Sequence, residues 1–428
     1  MAETPHAIMF PLPFQGHITP SVNLAMNLAS KGCAITFVYT EFIHQMLSKS
    51  HHSSSEVHLF EDAGLDIRYT TIFDGFPVEF DRFLHLNYWE SMLRDFPARV
   101  DEFVGDIIRS DPQSAYFLIT DTFYNWPATI ARKYNLVNVS FWTEPALVFS
   151  IAYHLDLLRE NCHFPYNIEE NINYIPGVSL INTRDFMPYL KESSLDLMQQ
   201  KIGMKTFDDQ VKKADFILLN TVQELESETI SALQQKQPTY AIGPVNFSPD
   251  SNKPATSQNL WPQTDTKTWL ESKPPSSVLY LSFGSFDLTR LIVQWCNQHM
   301  VLSHPAIGGF LTHCVWNSIL ESIWCGIPMI CHPLASDQPT NRKLVVDDWK
   351  IGINLCDGES VTREEVAKKI DNLMSGTVLD GLRMEIKKVR TILQNALAID
   401  GSSEKNIDQF IKDLKAKIHD KSQNMTRS

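Results

Sequence analysis

Basic residues are in short supply in this chain: 37 Lys and Arg stand against 50 Asp and Glu, a formal net charge of −13 over 428 residues. A surface of that sign repels a phosphate backbone or an anionic bilayer, which argues against nucleic acid and charged membrane surfaces as partners. Cysteine is sparse as well. Its seven copies are odd in number and irregular in spacing, so reduced thiols are expected rather than a disulfide framework. No CxxC pair, HExxH or DxD occurs, which leaves zinc or a carboxylate-held cation without support, and no metal is expected. No apolar run reaches the about 20 residues a bilayer span needs. The start, MAETPHAIMF, lacks the basic-then-apolar order of a secretory signal. A cytoplasmic protein without membrane insertion is the expectation. GxGxxG is also missing after the first apolar run, where Phe14-Gln15-Gly16-His17 stands, and this leaves a nicotinamide enzyme little to rest on.

Strand-like and helix-like patterns alternate through the first half, as a parallel α/β sheet requires. Ala7–Leu12, Ala34–Tyr39, Leu65–Thr71, Tyr116–Thr120, Val137–Trp142 and Phe216–Asn220 read as strands. Ile18–Ser30, Leu84–Ile108 and Leu195–Val211 carry helical spacing. From Phe247 to Thr268 the chain turns rich in Ser, Pro, Asn and Thr, the composition of a linker. Ser277–Phe283 is a further strand, and Glu364–Leu414 is mostly helical. The expected organisation is a Rossmann-like domain over residues 1–246, a linker over 247–268, and a second Rossmann-like domain over 269–428, facing each other across a cleft.

The stretch from Trp295 to Gln338 is the most informative. A strand-like run, Ala306 to Thr312, leads into His313-Cys314-Val315-Trp316-Asn317-Ser318 and then a helical pattern with Ile319, Leu320, Ile323 and Trp324 on one face. Asn317 and Ser318 fall at the start of that helix, where free backbone N–H groups and the dipole favour an anion. Trp295 offers a flat ring to a base, Glu321 an acceptor to a ribose, and Asp337-Gln338 a hold on sugar hydroxyls. A nucleotide-sugar site is the reading those residues suggest.

This stretch resembles the signature box of plant family-1 UDP-glycosyltransferases, with a Trp at one end, HCGWNS in the middle and DQ at the other. The resemblance covers nearly the whole chain. It implies the two-domain GT-B architecture, with the acceptor on the first domain, the UDP-sugar on the second, and the last helix crossing back. By resemblance Trp295 stacks on uracil, and Gln298 and Glu321 hold the ribose side. His313, Asn317 and Ser318 take the diphosphate, and Asp337 and Gln338 the sugar. It also sets Cys296 and Trp316 among the donor-binding residues. UDP-glucose is then the expected co-substrate, a small hydroxylated acceptor the second partner, and a monomer the expected state.

At the other end of the cleft, His17 follows the first strand in PFQGHITP, and Asp121 closes a later strand. Functional groups gather beyond the carboxyl ends of such strands. A near-neutral histidine suits removal of a proton from a hydroxyl, and a carboxylate on its far nitrogen would fix the tautomer. The family resembled here uses such a pair. Inverting displacement of UDP by a deprotonated acceptor follows. Phe14, Phe123, Trp126, Phe141 and Trp142 would suit a planar phenolic acceptor, a flavonoid for example.

Two features depart from the family pattern. Ser282-Phe283-Gly284-Ser285-Phe286 resembles its SFGS turn, whose serine, here Ser285, approaches the phosphates, but the chain then passes almost directly into Trp295. A parallel crossover takes about a dozen residues or more, so a strand–helix unit of the donor domain is expected to be missing. Val315 stands where the family has glycine, which matters if that backbone must take a positive φ. A folded acceptor domain that binds a small apolar ligand without sugar transfer is therefore the alternative to an active transferase.

Overall fold

The computed structural model describes residues 4–50, 64–82, 86–191, 197–248, 251–254, 264–284, 295–356, 361–375 and 377–427. Residues 285–294, which include Ser285 and the join expected to be shortened, lie outside them.

Seven parallel strands build the first sheet: β1 (Pro5–Phe10), β2 (Ala34–Thr40), β3 (Ile67–Ile72), β4 (Ala115–Asp121), β5 (Val137–Trp142), β8 (Phe216–Leu219) and β9 (Thr239–Ala241). Their spatial order is β3-β2-β1-β4-β5-β8-β9. Every residue of β1, β5 and β8 is buried, polar Asn138 and Ser140 included, as expected for a parallel sheet covered on both faces. Two small antiparallel pairs interrupt the alternation, β6 (Asn171–Ile172) with β7 (Ile181–Asn182), and β10 (Phe247–Ser248) with β11 (Ser251–Pro254). The stretch expected as one helix from Leu84 is two, Leu86–Arg94 and Phe96–Ser110, divided at Asp95 with Pro97 in the first turn of the second. Proline lacks the N–H a continuous helix needs there.

The second sheet holds β12 (Val278–Ser282), β13 (Ile307–Thr312), β14 (Met329–Cys331) and β15 (Gly352–Asn354), parallel and in that spatial order. β13 and β14 are wholly buried. β12 is not: it lies at the edge of the described sheet, with Leu281 49% exposed and Phe283 beyond it 38% exposed.

The two sheets share packing. One apolar cluster runs from Trp142 and Phe149 in the first half to Phe310, Trp316 and Ile319 in the second. The last helix, Ser402–Arg427, returns to the first sheet, setting Phe410 against Phe216 and Tyr240. Asp413 accepts from the Tyr240 hydroxyl at 2.7 Å, and Lys421 donates to the Leu136 carbonyl at 2.6 Å. Burial at roughly 25 cal/mol per Å² makes such apolar contacts the main stabilising term. Among the described residues no helix is long and apolar enough to cross a membrane.

Candidate active site

β1 and β4 are neighbours, with Phe10 opposite Thr120, so the loop after β1 and the end of β4 meet at one edge of the sheet. That register brings His17, in the first turn of the helix Gln15–Ser30, to Asp121: Nδ1 lies 2.7 Å from Oδ2. Asp121 is itself fixed, since its Oδ1 accepts the Phe123 N–H at 3.0 Å. Thr143, just past β5, places its hydroxyl 3.1 Å from the same His17 Nδ1. A carboxylate on Nδ1 puts the ring proton there and leaves Nε2 with a lone pair, the form a base requires. Phe14 and Phe123 stand edge-on to the imidazole with centroids at 6.4 and 5.8 Å, and Trp89 stacks on Phe14 at 5.3 Å. Trp126, Phe141 and Trp142, grouped with these as acceptor rings, are 1–2% exposed and belong to the core.

Thr143 and Trp89 escaped the sequence reading. The carboxyl-end rule that picked out Asp121 would have found Thr143, because β5 adjoins β4 with Asp121 opposite Phe141. Trp89 sits in a helix with no motif around it and left no signal.

The donor side is built where β13 ends. His313 follows it, buried, with its Nδ1 3.3 Å from the Ser282 carbonyl, and burial pulls its pKa down to about 4. Gly284 holds φ +89°, and a Cβ there would come within 2.7 Å of His313 Nε2. Only glycine allows the chain to pass so close in that conformation. The positive φ within HCVWNS falls on Cys314 at 69°, whereas Val315 has φ −68° and ψ 142°, ordinary extended values. Valine therefore imposes no backbone strain at the position where the family has glycine.

The helix Trp316–Cys325 begins there with no side chain capping it, which leaves its first N–H groups without a side-chain acceptor, the condition under which a helix start can take an anion. Ser318 and Glu321, one turn apart, converge on Gln298, whose Nε2 lies 2.8 Å from both Ser318 Oγ and Glu321 Oε2. Burial raises the Glu321 carboxyl to about 7. Trp295 is half-buried near this group, with its carbonyl accepting the Thr264 N–H at 2.8 Å. Cys296 Sγ lies 3.5 Å from the Tyr280 hydroxyl, and burial pushes its thiol up.

Several residues assigned to the ligand are otherwise engaged. Trp316 is 1% exposed and its indole N–H donates to the Asn220 carbonyl at 2.7 Å, so its ring is core and only its backbone N–H can serve a donor. Asn317 spans the domains: its Nδ2 donates to the Gly16 carbonyl at 2.7 Å, and its Oδ1 accepts from Asn246 at 3.2 Å. Gln338 uses its carbonyl oxygen on the Leu334 and Ala335 N–H groups at 2.7 and 2.9 Å, which leaves only its amide protons for a sugar. Asp337, 3% exposed, accepts from Asn341, and burial lifts its carboxyl to about 6 despite that bond and the nearby His17.

A family model described as UDP-glucoronosyl and UDP-glucosyl transferase matches residues 270–390. UDP-glycosyltransferase 86A1 of Arabidopsis thaliana is 44% identical over 475 aligned positions that cover 97% of this chain and 96% of the relative. The chain belongs to the plant family-1 UDP-glycosyltransferases. It is a UDP-dependent glycosyltransferase. The 7-deoxyloganetin glucosyltransferase of Catharanthus roseus is 31% identical over 486 positions, covering 97% of this chain and 98% of that one. Among solved structures, a UDP-glucose: anthocyanidin 3-O-glucosyltransferase in complex with UDP superposes with a TM-score of 0.80 at 22% identity, over 97% of this chain and all (100%) of its own. The glycosyltransferase thus has the GT-B fold, two Rossmann-like domains in one chain.

Proposed function

We propose that this glycosyltransferase moves glucose from UDP-glucose to a hydroxyl of a small planar acceptor such as a plant phenolic, with inversion at the anomeric carbon. The observation that carries the reading is the His17–Asp121 pair one residue from Gly16, whose carbonyl is held by Asn317 at the uncapped helix start. Base and anion site thereby adjoin. His17 Nε2 takes the acceptor proton, and the acceptor oxygen attacks the anomeric carbon from the face opposite UDP. The glycosidic C–O bond to the diphosphate breaks, and its electron pair leaves with UDP. Backbone N–H groups of the helix start offset the charge that develops there, the physics of an oxyanion hole. No step of that route calls on a metal, and Phe14, Phe123 and Trp89 supply the apolar wall for a flat ring. The same reading has the chain act as a cytosolic monomer.

A second reading is favoured by two observations. Leu281 of β12 and Phe283 just beyond it are exposed, and both alignments quoted above run over more positions than the 428 residues of the chain. A donor domain short of a strand–helix unit would bind a small apolar ligand on the first domain and fail to hold UDP-sugar. Calorimetric titration with UDP separates the two. Saturable binding, followed by glucosylation in a panel of phenolics that His17→Ala abolishes while UDP still binds, supports transfer. A folded protein that takes up no UDP supports the second reading.

A further inference from the structure

Asp337, near the end of the donor stretch, is held by an amide that also touches the turn before the donor helix. Asn341 lies one helical turn further on, in the helix Gln338–Lys343, where its backbone N–H donates to the Asp337 carbonyl at 3.0 Å. Its side chain is wholly buried, and its Nδ2 donates twice: to Asp337 Oδ2 and, at 2.9 Å, to the Cys314 carbonyl. Both partners accept, so the amide can sit only one way round. Its Oδ1 is then buried with no hydrogen-bond partner among the described residues. An unpaired buried carbonyl costs stability, and what offsets it is the pair of N–H bonds to two segments of the donor side. The Cys314 turn has a fastening of its own, since its N–H donates to the Thr312 hydroxyl at 3.1 Å. The Asp337 carboxylate has no such substitute: among the described residues no second side chain donates to it.

These contacts also place Asp337. The Cys314 carbonyl lies two residues before the helix Trp316–Cys325, whose Asn317 holds the Gly16 carbonyl next to His17 at 2.7 Å. Three hydrogen bonds, Asn341 to Asp337, Asn341 to Cys314 and Asn317 to Gly16, lead from the carboxylate to the helix start and on to the loop of the base. We propose that Asn341 is a positioning residue for the donor sugar, whose amide, anchored on the Cys314 carbonyl, fixes the Asp337 carboxylate in the orientation that accepts sugar hydroxyls beside the diphosphate turn. The proposal rests on the UDP-sugar reading above. Asn341 does not touch the sugar. It holds one carboxylate oxygen, so that the other meets the hydroxyls without a search among rotamers, and a group set in place beforehand binds more tightly than one ordered on binding.

The test is calorimetric titration of the whole protein with UDP and with UDP-glucose, for wild type, Asn341→Leu, Asp337→Ala and the double variant. Asn341→Leu keeps the volume and removes both N–H groups. UDP-glucose affinity is expected to fall about tenfold while UDP affinity stays within about threefold, because the Cys314 turn keeps its Thr312 bond. In the Asp337→Ala background the same substitution is expected to change UDP-glucose affinity no further, since Asn341 acts through that carboxylate. An amide with a structural duty alone lowers both affinities together, and its effect multiplies with that of Asp337→Ala. Either result overturns the assignment, as does unchanged UDP-glucose affinity in Asn341→Leu. If Asn341→Leu does not fold, Asn341→Ser, whose shorter hydroxyl cannot span both acceptors, is titrated in its place against the same outcomes. Absence of UDP binding by wild type, or wild-type UDP-glucose affinity in Asp337→Ala, is a different outcome, which brings down the donor reading itself and the proposal with it.

Discussion

Asp121→Asn offers the sharpest test of the catalytic geometry. The carboxylate contacts two groups, His17 Nδ1 at 2.7 Å and the Phe123 N–H at 3.0 Å, and its side chain is 1% exposed. The Phe123 N–H is a donor, so an asparagine must turn its carbonyl oxygen there. Its NH₂ group then points at His17 Nδ1, which has to become an acceptor. The ring proton moves to Nε2, where the lone pair is needed. The fold is disturbed little, because the side chains are nearly isosteric and the Phe123 bond survives, yet the base is lost. General-base catalysis contributes roughly 10²–10⁴-fold. A loss of about a thousandfold in kcat corresponds to about 4 kcal/mol of barrier.

The assay is the initial rate of glucoside formation at saturating UDP-glucose, with UDP affinity measured in parallel. A fall in kcat of about a hundredfold or more with unchanged UDP affinity is expected. Thr143→Val, which removes only the 3.1 Å contact to Nδ1, is expected to lose less. A kcat for Asp121→Asn within about threefold of wild type would refute the tautomer argument and with it the role of His17 as base.

Other perturbations probe the donor side and the joint between domains. Gly284→Ala puts a methyl 2.7 Å from His313 Nε2 at φ +89°, and a stability loss of about 1–3 kcal/mol in urea melts, with weakened UDP binding, is expected. Val315→Gly relieves no strained φ, so UDP affinity should stay within about threefold while stability falls by about 0.5–1 kcal/mol through chain entropy. His313, held down to about 4, is neutral before UDP arrives; the diphosphate raises its pKa, so the complex binds more protons and affinity rises as pH falls. Calorimetry in buffers of different ionisation enthalpy should show proton uptake that His313→Asn abolishes. Arg342 pairs with the buried Asp185 across the two halves and reaches Asp347 at 3.0 Å, so Arg342→Ala should cost about 3–5 kcal/mol in a thermal or urea melt.

Where chemistry dictates residue type at fixed spacing, the sequence was legible. The strand-like runs at Ala34–Tyr39 and Val137–Trp142 lie within strands, because β-branched and aromatic side chains dominate both and suit a sheet covered on its two faces. His17 and Asp121 could be paired because both follow the carboxyl ends of strands, and adjacency in the sheet did the rest. What the sequence could not show was engagement. Nothing in the letters WNS says that the indole of Trp316 is spent on Asn220, or that Asn317 reaches across to Gly16. Nor does the letter V at 315 say which residue of HCVWNS carries the positive φ; the structure puts it on Cys314. Such features depend on the partner domain, which local patterning does not encode.

That engagement changes how the signature residues act. Asn317 connects Gly16 on the catalytic loop to Asn246, and Asn246 accepts in turn from Asn23 at 3.3 Å. A chain of amides therefore ties the start of the donor helix to the turn that carries His17. Displacing either end moves the leaving group relative to the base, and errors of that kind are expensive, since a misplacement of about 1 Å can cost about a hundredfold in rate. Trp316 on Asn220 fastens that helix to the first half of the chain, and Thr340 on the Asp185 carbonyl, at 2.6 Å, fastens the separate helix Gln338–Lys343. On the proposed route, residues expected to act by touching UDP-sugar would thus also fix the two halves of the chain relative to each other. It follows that substitutions at Asn317 should lower kcat as well as donor affinity, whereas loss of a residue that only grips the diphosphate should appear in donor affinity alone.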